Sequence, residues 1–149
     1  MKDKQVLVRS AQLQDIADIC RLCGQLGYPV EESGVASRLK TILADVEQAV
    51  FVAVNQNGGV IGWVHVLQVL YLETEPFAEI GGLIVEETFR GQGTGKMLMQ
   101  AAEEWAIKNT LLDIRLRSNS IRENAHVFYK AIGYQHVKTQ FTFHKRITG

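Results

Sequence analysis

A chain of 149 residues with 46% hydrophobic and 21% charged side chains reads as one ordinary domain over 1–149 and excludes a disordered chain. Sixteen Lys and Arg offset sixteen Asp and Glu, so the basic excess of a nucleic-acid binder is missing. No apolar run nears the ~20 residues of a membrane span, and Met1 to Val8 holds no apolar leader core, which predicts a cytoplasmic protein with no membrane partner.

Gln5-Val6-Leu7-Val8-Arg9 reads as a short first strand. Leu13, Ile16, Ile19, Cys20, Cys23 and Leu26 recur at helical spacing, and Gly27-Tyr28-Pro29 ends that helix. A second helix runs from about Glu32 to Asp45 on the stripe Val35, Leu39, Ile42 and Leu43. Val50 to Val54 and Val60 to Leu67 flank Asn55-Gln56-Asn57-Gly58-Gly59, a hairpin signal. A further strand, about Ala78 to Val85, contains Gly81-Gly82, which marks a bulge or a close approach to the backbone.

Met97, Leu98, Ala101, Ala102 and Trp105 then form one face of a helix ending near Asn109. Leu112, Ile114 and Leu116 alternate with polar residues as a half-buried strand does. Ser120-Ile121-Arg122-Glu123 reads as a capping box opening a helix that ends at Gly133. Gly133 to Val137 and Phe141 to Lys145 close the chain as two strands. The sum is a mixed α/β domain.

The strongest local signal is Arg90-Gly91-Gln92-Gly93-Thr94-Gly95-Lys96, between a strand and a helix. Glycines leave backbone N–H groups uncovered, and the helix adds its own unpaired N–H groups and positive dipole end. No acid fills the first turn, so a phosphate-bearing ligand is the natural occupant. A P-loop is excluded, because only three residues separate Gly91 from Gly95-Lys96 and Met97 follows. The dinucleotide fingerprint fails as well, with Lys96 standing where its last glycine belongs.

Arg90, Gly93 and Gly95 do fit Arg/Gln-x-x-Gly-x-Gly/Ala, which resembles the coenzyme A pyrophosphate loop of the GNAT family of N-acetyltransferases. Ala125-His126-Val127-Phe128-Tyr129-Lys130-Ala131-Ile132-Gly133-Tyr134 resembles that family's later helix and strand. The resemblance implies the GNAT fold, a mixed, mostly antiparallel sheet of six to seven strands flanked by about four helices. It also implies transfer of an acetyl group from acetyl-CoA to a primary amine of a small molecule or peptide, through a tetrahedral intermediate, in a homodimer.

On this resemblance the cosubstrate contacts are Leu83, Ile84, Val85, Arg90, Gly91, Gln92, Gly93, Thr94, Gly95, Lys96, Arg122 and Tyr129. Arg122 stands where many members have an asparagine against the pantetheine arm. Gly81-Gly82-Leu83 would free an N–H for the thioester oxygen, or the two glycines simply relieve crowding under Trp63. Tyr129 matches the general acid that protonates the leaving thiolate, though a helical aromatic beside Phe128 is also ordinary core.

An alkyl ammonium has a pKa of about 10 and must lose a proton. Glu79, at the start of the thioester strand, is the first candidate base, acting through water; a solvated strand-end acid is the alternative. His65 is the second candidate, or else a packed core histidine. Cys20-x-x-Cys23 lies on a helix without a second ligand pair, and the histidines lack metal-ligand spacing, so packing is expected and no metal is assigned.

In the geometry that the resemblance implies, Glu31, Glu32, Glu73, Glu75 and Glu79 rim the acceptor cleft and would draw a cationic amine, a solvated loop being the alternative for Glu73 and Glu75. Within the family the closing run looks most like the aminoalkylphosphonate acetyltransferases, yet Tyr71 to Phe77 lacks the histidines expected there. Two other readings stay open: an acetyl-CoA-binding sensor, and a structural domain without turnover.

Overall fold

The computed structural model describes residues 5–149, so Met1 to Lys4 of the segment read as leaderless lie outside the described residues. The described chain forms two compact units, one up to Leu116 and one over Arg117–Gly149.

In the first unit β1 (Leu7–Ser10), β2 (Gln48–Val54), β3 (Val60–Val69), β4 (Phe77–Val85) and β5 (Ile114–Leu116) form one sheet in the order β1-β2-β3-β4-β5. The first three pairings are antiparallel, and β4 pairs β5 in parallel. Hence a crossover must join β4 to β5, and the helix α3 (Thr94–Lys108) supplies it. The β2–β3 turn is made by Asn55, whose side-chain oxygen accepts from the N–H groups of Asn57 (3.0 Å) and Gly59 (2.9 Å).

Period 2 sorts the sheet into two faces. Val50 and Val52 of β2, Trp63 of β3 and Ile84 of β4 pack with Ile19 and Leu22 of α1 (Ile16–Gln25) and Leu39 of α2 (Glu32–Leu43). Full burial of such an aliphatic side chain contributes about 1.5–3 kcal/mol. Gly62 faces the other way, where α3 comes so close that a Cβ on Gly62 would lie 3.0 Å from Leu98. The buried stripe of α3 is Leu98, Met99, Ala102 and Ala106; of the expected face Leu98 and Ala102 are buried, while Met97, Ala101 and Trp105 are half-buried at its margin.

The first helix starts later than its periodicity predicts. Leu13–Asp15 is a 3-10 turn, because the Asp15 carboxylate is claimed by Arg9 (2.8 and 2.9 Å) and by the Gln12 N–H (2.8 Å). Arg9 thereby holds the Asp15 carboxyl below its ordinary range. Charge-assisted hydrogen bonds contribute about 1.5–3 kcal/mol each, here toward the low end because the Arg9 side chain is 35% exposed.

The second unit contains α4 (Glu123–Ala131). Ser120 does not cap it. Asn119 instead makes a turn, accepting from Ile121 N–H through its side chain (3.1 Å) and from Arg122 N–H through its carbonyl (3.0 Å), so Arg122 becomes the cap residue. At the other end Gly133 N–H bonds the Lys130 carbonyl (3.1 Å) and Tyr134 N–H bonds the Tyr129 carbonyl (2.9 Å).

The sheet has five strands among the described residues, not six to seven. The two expected closing strands are absent, although the alternation is in the sequence. A strand exists only as part of a ladder. Val137, Phe141, Phe143 and Ile147 are more than four-fifths exposed, so neither pairing nor burial holds that segment as strand.

Candidate active site

The site of interest in the first unit begins at a register slip in β4. His65 pairs Gly82 and Val66 pairs Ile80, so Gly81 is an extra residue without a partner across the ladder. The expected bulge and the expected close approach to the backbone are both present. A Cβ on Gly81 would lie 2.7 Å from His65 Nδ1, and one on Gly82 would lie 2.9 Å from the Trp63 ring. Two aromatic rings fill the space that side chains would take, and the strand bulges at that point.

The other side of β4 changes at the same place. β5 pairs only Ala78, Glu79 and Ile80. From Gly81 to Val85, that edge has no strand partner among the described residues. Leu83, Ile84 and Val85 thus line an open edge that an extended chain with amide groups could join.

Beyond β4 the chain makes a 3-10 turn (Glu87–Phe89) and enters the glycine loop. Gly91 and Gly93 have φ of 78° and 87°, a region that side chains disfavour. Gly93 is the cap residue of α3 and supplies no side-chain cap, so the N–H groups of Thr94, Gly95 and Lys96 have no partner within the helix. Nothing lies within 4 Å of a Cβ built on Gly91 or Gly93. The first turn carries no acid, and Thr94 is buried while Arg90, Gln92 and Lys96 are exposed. This is an open anion cradle, and its residues fit a pyrophosphate.

The cradle is braced by contacts with no signal in the sequence. Arg21 of α1 bonds Glu86 (2.8 Å) and the Val60 carbonyl (3.0 Å), Gln25 accepts from Glu87 N–H (3.3 Å), and Arg90 Nε donates to the Val85 carbonyl (3.1 Å).

His65, Glu79 and Gln48 belong to one face of the sheet. Glu79 pairs Leu67, two positions from His65, and Gln48 also pairs Leu67 from the β2 side. His65 Nε2 lies 2.8 Å from Gln48 Oε1, and Gln48 Nε2 donates to Asp45 Oδ2 (2.9 Å). Burial pushes the His65 pKa down. Glu79 is half-buried and neighbours Arg115 in the β5 register. The indole N–H of Trp63 is buried without a partner. Gln48 was legible in principle, as a polar residue in phase with the inward-facing Val50 and Val52, two and four positions on.

In the second unit Tyr129 is half-buried, packing edge-on against Phe128 (5.2 Å between centroids) and Tyr134 (6.2 Å). Burial raises its pKa, and the Arg122 charge opposes that. Its phenol therefore keeps its proton at neutral pH. Arg122 is exposed at the start of α4.

Cys20 and Cys23 are free and half-buried, and burial raises both thiols. That suits packing and not nucleophilic work. His126 and His136 are engaged with the Asn119 carbonyl and the Thr139 hydroxyl, each at 3.0 Å. No group of three His, Cys, Asp or Glu among the described residues could hold a metal ion, and no described helix is long and apolar enough to cross a membrane.

The family model for the acetyltransferase (GNAT) domain matches residues 47–136, which run from the strand before the hairpin to the turn after α4. The chain belongs to the GNAT acetyltransferase family. It is an N-acetyltransferase with acetyl-CoA as cosubstrate. This GNAT chain is similar to an aminoglycoside N(6')-acetyltransferase type 1 of Stenotrophomonas maltophilia, at 27% identity over 132 residues, 86% of this chain and 85% of that protein. Its fold is similar to the aminoglycoside 6'-N-acetyltransferase AAC(6')-Ih of Acinetobacter baumannii, with a TM-score of 0.84 at 18% identity over 97% of this chain and 100% of that one. It is also similar to the aminoglycoside N-acetyltransferase AAC(6')-Iy in complex with CoA, with a TM-score of 0.86 at 18% identity over 97% of each chain.

Proposed function

We propose that this acetyltransferase, working as one catalytic domain over 1–149, acetylates a primary amine of a small polycationic acceptor of the aminoglycoside kind. The observation that carries this is the set of carboxylates in the first unit. Glu31 and Glu32 are exposed at the start of α2, Glu73 and Glu75 are exposed between β3 and β4, and Glu79 stands in β4. Such a field concentrates a polycation and repels an acceptor bearing its own phosphonate. The named substrate of the Stenotrophomonas relative supports the same class.

Bound acetyl-CoA supplies the activated acyl group. In this reading the exposed Arg90 side chain and the N–H groups of Gly91, Gln92, Gly93, Thr94, Gly95 and Lys96 hold its pyrophosphate, the Arg90 N–H itself being bonded to the Glu87 carbonyl. Leu83, Ile84 and Val85 bond the pantetheine amides along the open edge of β4, and the N–H freed at the bulge meets the thioester oxygen. Arg122 meets a phosphate, and Tyr129 gives its proton to the departing thiolate. Glu79 receives the acceptor's ammonium and starts its proton on the way out through water.

Thiol release from acetyl-CoA is to be compared for an aminoglycoside with a 6'-amine, its 6'-hydroxyl analogue and a lysine peptide. Turnover is expected with the first and none above background with the others. A faster rate with the peptide would refute the small-molecule reading.

A homodimer follows from the same reading, since Val137, Phe141, Phe143 and Ile147 expose an apolar row that a second copy would cover. Light scattering should give about twice the 16.7 kDa of one chain, and a monomer at micromolar concentration would contradict it.

A further inference from the structure

The bulge brings together a row of side chains that the cosubstrate reading leaves unused: Asp45, Gln48 and His65, ending at Gly81. Hydrogen-bond chemistry orients every member of it. The Asp45 carboxylate, held below its ordinary range by the Gln48 amide and the Glu47 N–H, only accepts. The NH2 of Gln48 must therefore face Asp45, which turns its oxygen to His65. An amide oxygen only accepts, so His65 Nε2 must carry the hydrogen. The neutral ring then has no hydrogen on Nδ1.

Nδ1 is the ring atom nearest the bulge. A Cβ on Gly81 would meet it at 2.7 Å, while Cε1 and Cγ would be 3.3 Å away. No protein donor reaches Nδ1 among the described residues. Nδ1 thus lies against the one stretch of β4 whose backbone has left the ladder.

We infer that Gln48 is a positioning residue that fixes the His65 tautomer, and that His65 Nδ1 accepts the proton of the attacking amine at the bulge. This rests on the amine-acceptor reading above and names the base of that same site. The amine nitrogen adds to the acyl carbon as the carbonyl π pair moves to oxygen; once nitrogen has shed its proton that pair returns, the carbon–sulfur bond breaks and the thiolate leaves with the bonding pair. The proton shed by nitrogen goes to Nδ1 and returns to solvent in the next step. Glu79, on the same face, guides the ammonium in and starts its first proton outward through water; the second proton, shed on attack, is matched to an imidazole. Burial keeps this one neutral and its lone pair available.

Long-range proton–nitrogen NMR of the full chain reads the two ring nitrogens of His65 directly and needs no acceptor. The wild type should show a protonated Nε2 and a bare Nδ1. Gln48→Leu removes the acceptor; it should mix the tautomers and lower kcat at least about tenfold at an unchanged acetyl-CoA Kd. Gln48→Glu sets a carboxylate against both Asp45 and Nε2, favours the imidazolium with a protonated Nδ1, and should therefore keep kcat low at neutral pH and move the rise in activity to higher pH. His65→Phe should cost about 10²–10⁴ in kcat, the range for a lost general base.

A protonated Nδ1 in the wild type would overturn the inference. So would a Gln48→Leu variant that folds, binds acetyl-CoA and turns over at the parental rate. A wild type that turns over no amine would refute the acceptor reading instead, while the spectrum still decides the tautomer.

Discussion

Gly93→Asp should abolish acetyl-CoA binding while leaving the fold standing. Gly93 sits at φ 87° directly before the free N–H groups of α3, with open space around it. A non-glycine residue in that conformation costs about 1–2 kcal/mol, but a carboxylate beside a helix N-terminus returns part of this to stability. The pyrophosphate gets no such return. It loses charge-assisted bonds of about 1.5–3 kcal/mol each to an anion that occupies its place, so at least ~100-fold in Kd is expected. Gly93→Ala separates strain from charge and should weaken binding about tenfold at most. Calorimetry with both variants checks this, and a Gly93→Asp protein that binds like the parent would show the loop to be misassigned.

Tyr129→Phe should lower kcat by about 10²–10⁴ with little change in acetyl-CoA Kd or melting temperature. The phenylalanine keeps the ring contacts with Phe128 and Tyr134 and leaves the Tyr129–Tyr134 backbone bond in place, so only the proton donor is lost. The parent should also carry a basic limb in its kcat profile. A general acid works while protonated, so activity falls as pH rises through its pKa. Burial raises the Tyr129 phenol above its ordinary value of 10, which places that limb above pH 10. A variant with unchanged kcat and a lower melting temperature would return Tyr129 to the core.

Much of this was legible because local chemistry and tertiary structure agree. Asn55 and the glycines behind it make the expected hairpin, Gly81-Gly82 marks a real bulge, and the glycine loop opens α3 where its spacing predicts. The misreadings have physical causes. Ser120-Ile121-Arg122-Glu123 satisfies a capping pattern, but Asn119 one residue earlier draws the Ile121 and Arg122 N–H groups into its own turn, and the Glu123 N–H goes to the Ile121 carbonyl instead of Ser120. Phe141 to Lys145 alternates as a strand should, yet alternation supplies a face and not a partner. In the site, His65 and Glu79 were visible as residue types, whereas Gln48 became meaningful only once the β2–β3 register set it across from Leu67, diagonal to His65. The Arg21–Glu86 brace spans 65 residues, a separation that periodicity does not reach.

The central claim is that this chain carries an acetyl group from acetyl-CoA to an amine nitrogen. The most direct measurement uses acetyl-CoA labelled in the acetyl carbonyl, an aminoglycoside with a 6'-amine, and mass spectrometry of the acceptor. The account predicts one labelled amide for each CoA thiol released, with both lost together in Gly93→Asp. Tight binding of acetyl-CoA with no labelled product from either the aminoglycoside or the lysine peptide would contradict it and leave a sensor in place of an enzyme.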